Sequence, residues 1–292
     1  MVEIYVSWCK DIIEDKEALN ILKDSKIIDG IETSEVNDEN NLKKEGLKIS
    51  LHRPFRRKVE TLENPELDKT LEENQEILNK INRSNSFLVG FHVINYALED
   101  KKNIKETLEI CKKNIQLLKK KLDRKIVFET SPYCKSVYER RGKEFLSYFT
   151  SPEMIGELVN ENCGFLFDIS HNYISCMNKI MEGKYDKTIE EYFREIIKAS
   201  DGNILQIHLN FPVKEKEFLD KHTTFEENSK TNDEIIKLTK YVIDNSPNLK
   251  VLTLEMNTNL SPKEHAKKMI EQTKILRKLL DLDQTSSDNF LN

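Results

Sequence analysis

Glycine is scarce in this chain, 8 residues in 292, and proline adds only 7. No Gly/Ser/Pro-rich stretch offers a linker, so the sequence reads as one domain although its length would also fit two small ones. Cysteine is present but unorganised. Cys9, Cys111, Cys134, Cys163 and Cys176 are odd in number, widely spaced and free of any CxxC pair. That excludes a disulfide framework and a thiolate zinc site, and it leaves reduced, mostly buried thiols. Charge of one sign is not in excess either: the net charge is −5, which gives no global footprint of a nucleic-acid binder. No apolar run approaches the roughly 18 residues needed to span a bilayer. The start, MVEIYVSWCKDIIEDKE, reaches acidic residues too soon for a signal peptide, so a cytoplasmic protein without membrane contact is expected.

What the chain does have is a recurrent short β-rich run. Eight occur: EIYVS, KIIDGIET, LKISLH ending at His52, SFLVGFH at His92, KIVFE at Glu129, GFLFD at Asp168, NILQIH at His208 and LKVLTLE at Glu255. Between them lie segments of helical apolar spacing, such as Ile104, Leu108, Ile115, Leu118 and Leu122. Several strands are nearly continuous in Val, Ile, Leu and Phe, as expected where helices cover both faces of a parallel sheet. Strand and helix alternating eight times predicts an α/β fold, a single (β/α)8 TIM barrel over residues 1–281, with 282–292 as a polar tail.

Five of the six histidines stand at or just after the end of such a run, and four carboxylates do the same. The ordered set is His52, His92, Glu129, Asp168, His171, His208, Asp220, His222 and Glu255. His265, within SPKEH, instead reads as part of a charged helix face. A lone His or Glu at a strand end is ordinarily just a hydrogen-bonded residue; nine in order at one barrel mouth point to metal. His171, Asp220 and His222 are placed in loops at that mouth. Nine side chains exceed the four ligands of zinc or the six of octahedral iron or manganese, so two or three divalent ions are implied. The imidazole and carboxylate mixture suits zinc, iron(II) or manganese alike. At least one carboxylate, Glu129 or Glu255, is expected to bridge, and Glu129, Asp168 and Glu255 are the candidate catalytic groups.

The order and spacing resemble the trinuclear site of the endonuclease IV family, one of the xylose-isomerase-like barrels. The resemblance runs from about Leu47 to Met256 and is most specific in the D-x-x-H of Asp168 and His171 and the D-x-H of Asp220 and His222. It implies one ion at His52, His92 and Glu129, a second at Glu129, Asp168, His208 and Glu255, and a third at His171, Asp220 and His222. The glycine-rich first loop of that family is replaced here by YVSWCKDII, and its later glycine-rich stretch by HTTFEENSK. The run CGFLFDISHNYIS, from Cys163 to Ser175 with Asn178 beyond it, more closely resembles the multinuclear non-haem iron-dependent oxidative enzymes of methanobactin- and thiaglutamate-type peptide maturation. That resemblance implies iron, dioxygen, and oxidative modification of a peptide or small substrate at cysteine, with a peptide-recognition partner protein. The alternatives are a zinc phosphodiesterase of the endonuclease IV type, for which nucleic acid is the substrate, and a sugar isomerase-like barrel.

Around these ligands, HRPFRRK places Arg53, Arg56, Arg57 and Lys58 after His52, either as a solvated basic loop or as a fork for a phosphate or carboxylate. Arg53, nearest the ligands, is the expected anion contact. Tyr96, Tyr133 and Tyr173 either line a pocket or pack on helices, and Tyr173 is taken with Arg53 and Asn257 as substrate-binding. Cys9 and Cys134 fall in loops at the mouth, where a structural role is expected, and Trp8 is expected in the pocket wall.

Overall fold

Period-two alternation along a strand puts every second side chain on one face, and this rule organises the centre of the molecule. The computed structural model describes residues 2–7, 15–34, 36, 46–55, 62–93, 104–135, 150–159, 161, 163–226, 229–257 and 259–282. Eight parallel strands close into a barrel: β1 (Glu3–Ser7), β2 (Gly30–Thr33), β3 (Lys48–His52), β4 (Leu88–Val93), β5 (Lys125–Thr130), β6 (Gly164–Asp168), β7 (Ile204–Leu209) and β10 (Val251–Leu254). They pair in sequence order, and β10 closes onto β1. Between β7 and β10 the chain forms an antiparallel ribbon of β8 (Phe211–Lys214) and β9 (Phe218–Thr223). This ribbon replaces the loop expected at Asp220 and His222.

The helices are α1 (Lys16–Asp24), α2 (Leu67–Glu73), α3 (Gln75–Arg83), α4 (Ile104–Lys121), α5 (Pro152–Val159), α6 (Ile169–Met181), α7 (Ile189–Ala199), α8 (Lys230–Asp244) and α9 (Pro262–Leu279). The main core lies between these helices and the outward faces of the strands, where Phe128, Phe165, Phe167 and Phe193 pack ring on ring. A second, smaller cluster of Leu88, Val127 and Leu166, with Leu205 against it, is separate from that core. Leu88 lies four residues before His92, Val127 two before Glu129 and Leu166 two before Asp168. The same faces that carry the ligands at the strand ends are therefore apolar further down.

Of the features read from sequence, Trp8, Cys9, Arg56, Arg57, Lys58, Tyr96 and residues 283–292 lie outside the described residues. Leu282, counted with the tail, packs partly buried against the core. Cys111, Cys134, Cys163 and Cys176 are free and buried. Among the described residues no helix is long and apolar enough to cross a membrane.

Candidate metal centre

The strand ends converge into three overlapping clusters. In the first, His52 Nε2 and His92 Nε2 face each other at 2.8 Å, and Glu129 Oε2 lies 3.2 Å from the former and 2.8 Å from the latter. Gly90 makes room for this. A Cβ there would come within 2.6 Å of His52 Nδ1, so only glycine on β4 lets the neighbouring imidazole sit over it. The second cluster is Glu129, Asp168 and His208, with ligand atoms within 4.8 Å of one another. Asp168 and His208 are register partners on β6 and β7, and Glu255 Oε1 approaches His208 Nδ1 at 3.3 Å. The third is His171, Asp220 and His222: Asp220 Oδ2 lies 3.2 Å from His171 Nε2 and 3.0 Å from His222 Nε2. Glu255 Oε2 reaches His222 Nδ1 at 3.1 Å and so joins the second and third clusters.

Local structure aims these groups. The D-x-x-H is a helix cap: Asp168 is the N-cap of α6 and accepts the His171 N–H at 2.6 Å. His171 therefore belongs to the first turn of α6 and not to a loop. Its Nδ1 lies 2.9 Å from the Thr130 carbonyl oxygen, which leaves Nε2 for Asp220 and the centre. His222 on β9 has φ +48°, a left-handed conformation that costs a non-glycine residue energy, and its carbonyl accepts the Asn257 N–H at 2.8 Å.

Glu32, at the end of β2, was not among the expected ligands, yet it is buried with Oε2 3.0 Å from His208 Nε2. The signal for it was present, because Glu32 stands one residue before the end of GIET as Glu129 does in KIVFET. His265 is the reverse case. The expected exposed histidine is 3% exposed in the first turn of α9, where burial lowers its pKa and Nε2 makes no hydrogen bond.

Five carboxylates (Glu32, Glu129, Asp168, Asp220 and Glu255) and five imidazoles share this basin, and they shift one another's protonation. Burial opposes charge on His208, but Glu255 and Glu32 carry it up to about 10. His171 and His222 are raised well above the ordinary value, against burial, by Asp168 and Asp220 for the one and by Glu255 and Asp220 for the other. Burial dominates at His92, which falls to about 4, with Glu129 acting against it. Glu129 lies well below the usual carboxylate range because His92 and His171 outweigh its burial. Glu255 is held at about 2 by His208 and His222, again against burial. Asp168 alone goes up, to about 7, through burial and the charges of Glu129 and Glu255. His52 Nδ1, Glu129 Oε2, His208 Nδ1 and Asp220 Oδ1 are buried without a hydrogen-bond partner. Orphaned acceptors and several carboxylates pressed on one another are what cations would satisfy. The donor set fits several divalent ions, with no ligand type that chooses among zinc, iron and manganese.

Of the residues expected to contact substrate, Arg53 and Asn257 lie beside the ligands. Arg53 has φ +57°, donates its N–H to the Gly90 carbonyl and disfavours charge on His92, while Asn257 is exposed next to His222. Tyr173 is buried instead. Its hydroxyl donates to Glu234 at 2.7 Å and its ring packs edge-on against Phe218, which makes it a strut between α6, α8 and the ribbon and closes it to substrate. Tyr133 packs likewise, with its hydroxyl on Glu182, and burial pushes the Cys134 thiol up to about 12, consistent with a structural role.

No family model matches the chain, and no curated protein does. Solved structures are similar in fold. A D-tagatose 3-epimerase-like protein shares 17% identity over 95% of this chain and 99% of its own, with a TM-score of 0.62. IOLI protein with a binding zinc atom shares 11% over 96% and 99%, with a TM-score of 0.59. An AP endonuclease, family 2, from Brucella melitensis shares 11% over 90% and 96%, with a TM-score of 0.56. The fold is a xylose-isomerase-like TIM barrel. In such a barrel the C-terminal strand ends form the active face, and the three clusters occupy that end.

Proposed function

We propose that this barrel is a metal-dependent enzyme with a carboxylate-bridged centre of two or three ions. The observation that carries the reading is Glu129. Its Oε2 faces His52 and His92, while its Oε1 lies 3.8 Å from His208 Nδ1, so one carboxylate presents an oxygen to each of the first two clusters. His52, His92 and Glu129 would hold one ion, Glu129, Asp168, His208 and Glu255 another, and His171, Asp220 and His222 a third. A neighbour of the same fold, IOLI protein with a binding zinc atom, supports this reading.

For the reaction we favour iron and oxidative modification of a peptide or small substrate at cysteine. The segment CGFLFDISHNYIS, which resembles the iron-dependent oxidative enzymes, builds the β6–α6 junction and supplies both Asp168 and His171. Iron, when bound, supplies Lewis acidity and electrons for dioxygen chemistry. The chain's own part is to hold the ions through Glu129, Asp168 and Glu255 and to offer Arg53 and Asn257 to an anionic or polar part of the substrate. A peptide substrate of this kind would suit delivery by a recognition partner.

The complete third cluster supports a second reading, a zinc phosphodiesterase, in which Arg53 contacts a phosphate; one structure of similar fold is an AP endonuclease. A sugar isomerase or epimerase is a third, and the epimerase-like neighbours favour it. Anaerobic loading with iron(II), followed by air, is expected to give a coloured ferric or mixed-valence species that a thiol peptide perturbs. A colourless zinc protein that incises an abasic-site duplex at substoichiometric enzyme, and loses this with Asp220→Ala, would overturn the oxidative reading in favour of the second.

A further inference from the structure

Glu32 stands outside the nine residues whose order marks the centre, yet it is 1% exposed and aimed into the barrel. Its Oε2 lies 3.0 Å from His208 Nε2. The other nitrogen of that ring, Nδ1, lies 3.3 Å from Glu255 Oε1 and 3.8 Å from Glu129 Oε1 and makes no hydrogen bond. The imidazole thus has two ends facing two different sets of carboxylates. We propose that Glu32 is a positioning residue for the metal centre: by accepting the Nε2–H of His208 it fixes the tautomer and ring plane that present Nδ1 to the ion shared with Glu129, Asp168 and Glu255. The inference rests on the metal-enzyme reading above.

Glu32 is itself held in place. Gln206, two residues before His208 on β7, donates its side-chain amide to Glu32 Oε2 and also to Thr253 Oγ1 at 2.9 Å. Two β7 side chains, Gln206 and His208, therefore meet one carboxylate oxygen of β2, and Thr253 of β10 holds the Gln206 amide. The second oxygen, Oε1, is buried without a partner, so the single amide from Gln206 leaves this buried carboxylate incompletely satisfied. Its pairing with His208 accounts for a carboxylate at this depth, since a ligating imidazole ordinarily donates its remote N–H to a carboxylate or carbonyl.

The other role open to Glu32 is that of a ligand, because Glu32, His52 and His208 also lie within 4.8 Å of one another. The local donors argue against it. The Gln206 amide nitrogen sits 3.2 Å from His208 Nε2 and donates to Glu32 and to Thr253, so a cation placed there would meet an N–H donor as well as the carboxylate. Coordination through Nε2 would also leave Nδ1, the nitrogen that faces Glu255 and Glu129, without an ion.

The test is metal binding, read apart from turnover. Wild type, Glu32→Gln and Glu32→Ala are titrated with zinc and with anaerobic iron(II) against a chromophoric chelator, and bound metal at saturation is counted by elemental analysis. Circular dichroism and thermal melts verify that each variant is folded; Gln, nearly the same shape, serves where Ala fails to fold. One ion is expected to bind 10- to 100-fold more weakly in Glu32→Ala, with the same number of ions at saturation, and Glu32→Gln, which keeps an acceptor, should lose less. In a His208→Ala background, adding Glu32→Gln should cause no further loss, which a merely structural role would not predict. Unchanged affinity in both variants, or an additive loss in the double variant, overturns the proposal, and so does one ion fewer at saturation, which would make Glu32 a ligand. Failure of the wild type to hold two ions would instead refute the multinuclear reading.

Discussion

Gly90→Ala is the most specific perturbation of the proposed centre, because it adds one methyl group where no ligand is touched. The new Cβ would lie 2.6 Å from His52 Nδ1 and 3.6 Å from its Cγ. Atoms of this kind in ordinary contact stand about 3.5 Å apart, so the ring must withdraw by about 0.9 Å or the strands must part. β3 and β4 are hydrogen-bonded neighbours at this point, His52 pairing with Gly90, so the backbone has little room to give. Metal ligands tolerate about 0.2 Å of displacement. His52 Nε2 is therefore expected to leave its position against His92 and Glu129, and the first cluster should bind its ion about 10- to 100-fold more weakly, or about 1.4–2.8 kcal/mol. The assay is the same competition titration, with Gly156→Ala on α5 as control: a Cβ there would meet its nearest neighbour, the Ala199 carbonyl, at 3.4 Å, and alanine favours the helix. Wild-type affinity and stoichiometry in Gly90→Ala would show that His52 takes no part in binding metal.

Two further outcomes follow from the same geometry. Glu129→Ala removes an oxygen from two clusters and is expected to cost two ions per chain, whereas Asp220→Ala, confined to the third, should cost one; equal stoichiometry in the two variants would refute the bridge. Asp168 sets a pH dependence. Raised to about 7 from an ordinary 3.8, it keeps in the metal-free fold a proton that the unfolded chain gives up, so it subtracts stability as pH rises between these values and levels off above. Glu255 works the other way, contributing stability that is complete above 4.5 and is lost as pH falls through about 2. In chelator, Asp168→Asn, which preserves the helix cap, should gain more stability at about pH 7 than at about pH 5 by urea unfolding. A gain that does not change with pH would refute the assignment.

The barrel was legible because its strands announce themselves. The apolar runs ending in His52, His92, Glu129, Asp168, His208 and Glu255 became β3 to β7 and β10, with ends within one residue of those ligands. The ribbon was not legible. FPVK carries a proline and FLDKHT carries Asp, Lys and His in succession, so neither shows the alternation of a half-buried strand. His265 was misread because charged neighbours mask a helical stripe: His265, Met269, Gln272 and Leu276 recur at helix spacing and form the buried face of α9. It is therefore no neutral control for the ligand substitutions. Tyr173 was misread for want of knowing which way α6 faces. Only the position of Glu234 on α8 shows that its hydroxyl already has a partner.

How these pieces are joined bears on how the centre works. Six of the proposed ligands come from strand ends of one closed sheet, where register fixes neighbours such as His92 with Glu129 and Asp168 with His208. The remaining three are attached differently: His171 through a helix cap, and Asp220 and His222 through the ribbon, where both are half-buried and His222 bears a strained φ. A sheet closed on itself holds its ligands without adjustable parts, whereas a two-stranded ribbon is only marginally stable unless something packs on it. Phe211, the first residue of the ribbon, packs edge-on against Phe225, and Asn178 of α6 clamps Phe218 by accepting its N–H at 2.8 Å and donating to its carbonyl oxygen at 3.0 Å. The first two clusters are thus features of the barrel itself. The third depends on the ribbon, so substitutions there would alter this cluster and leave the eight strands untouched.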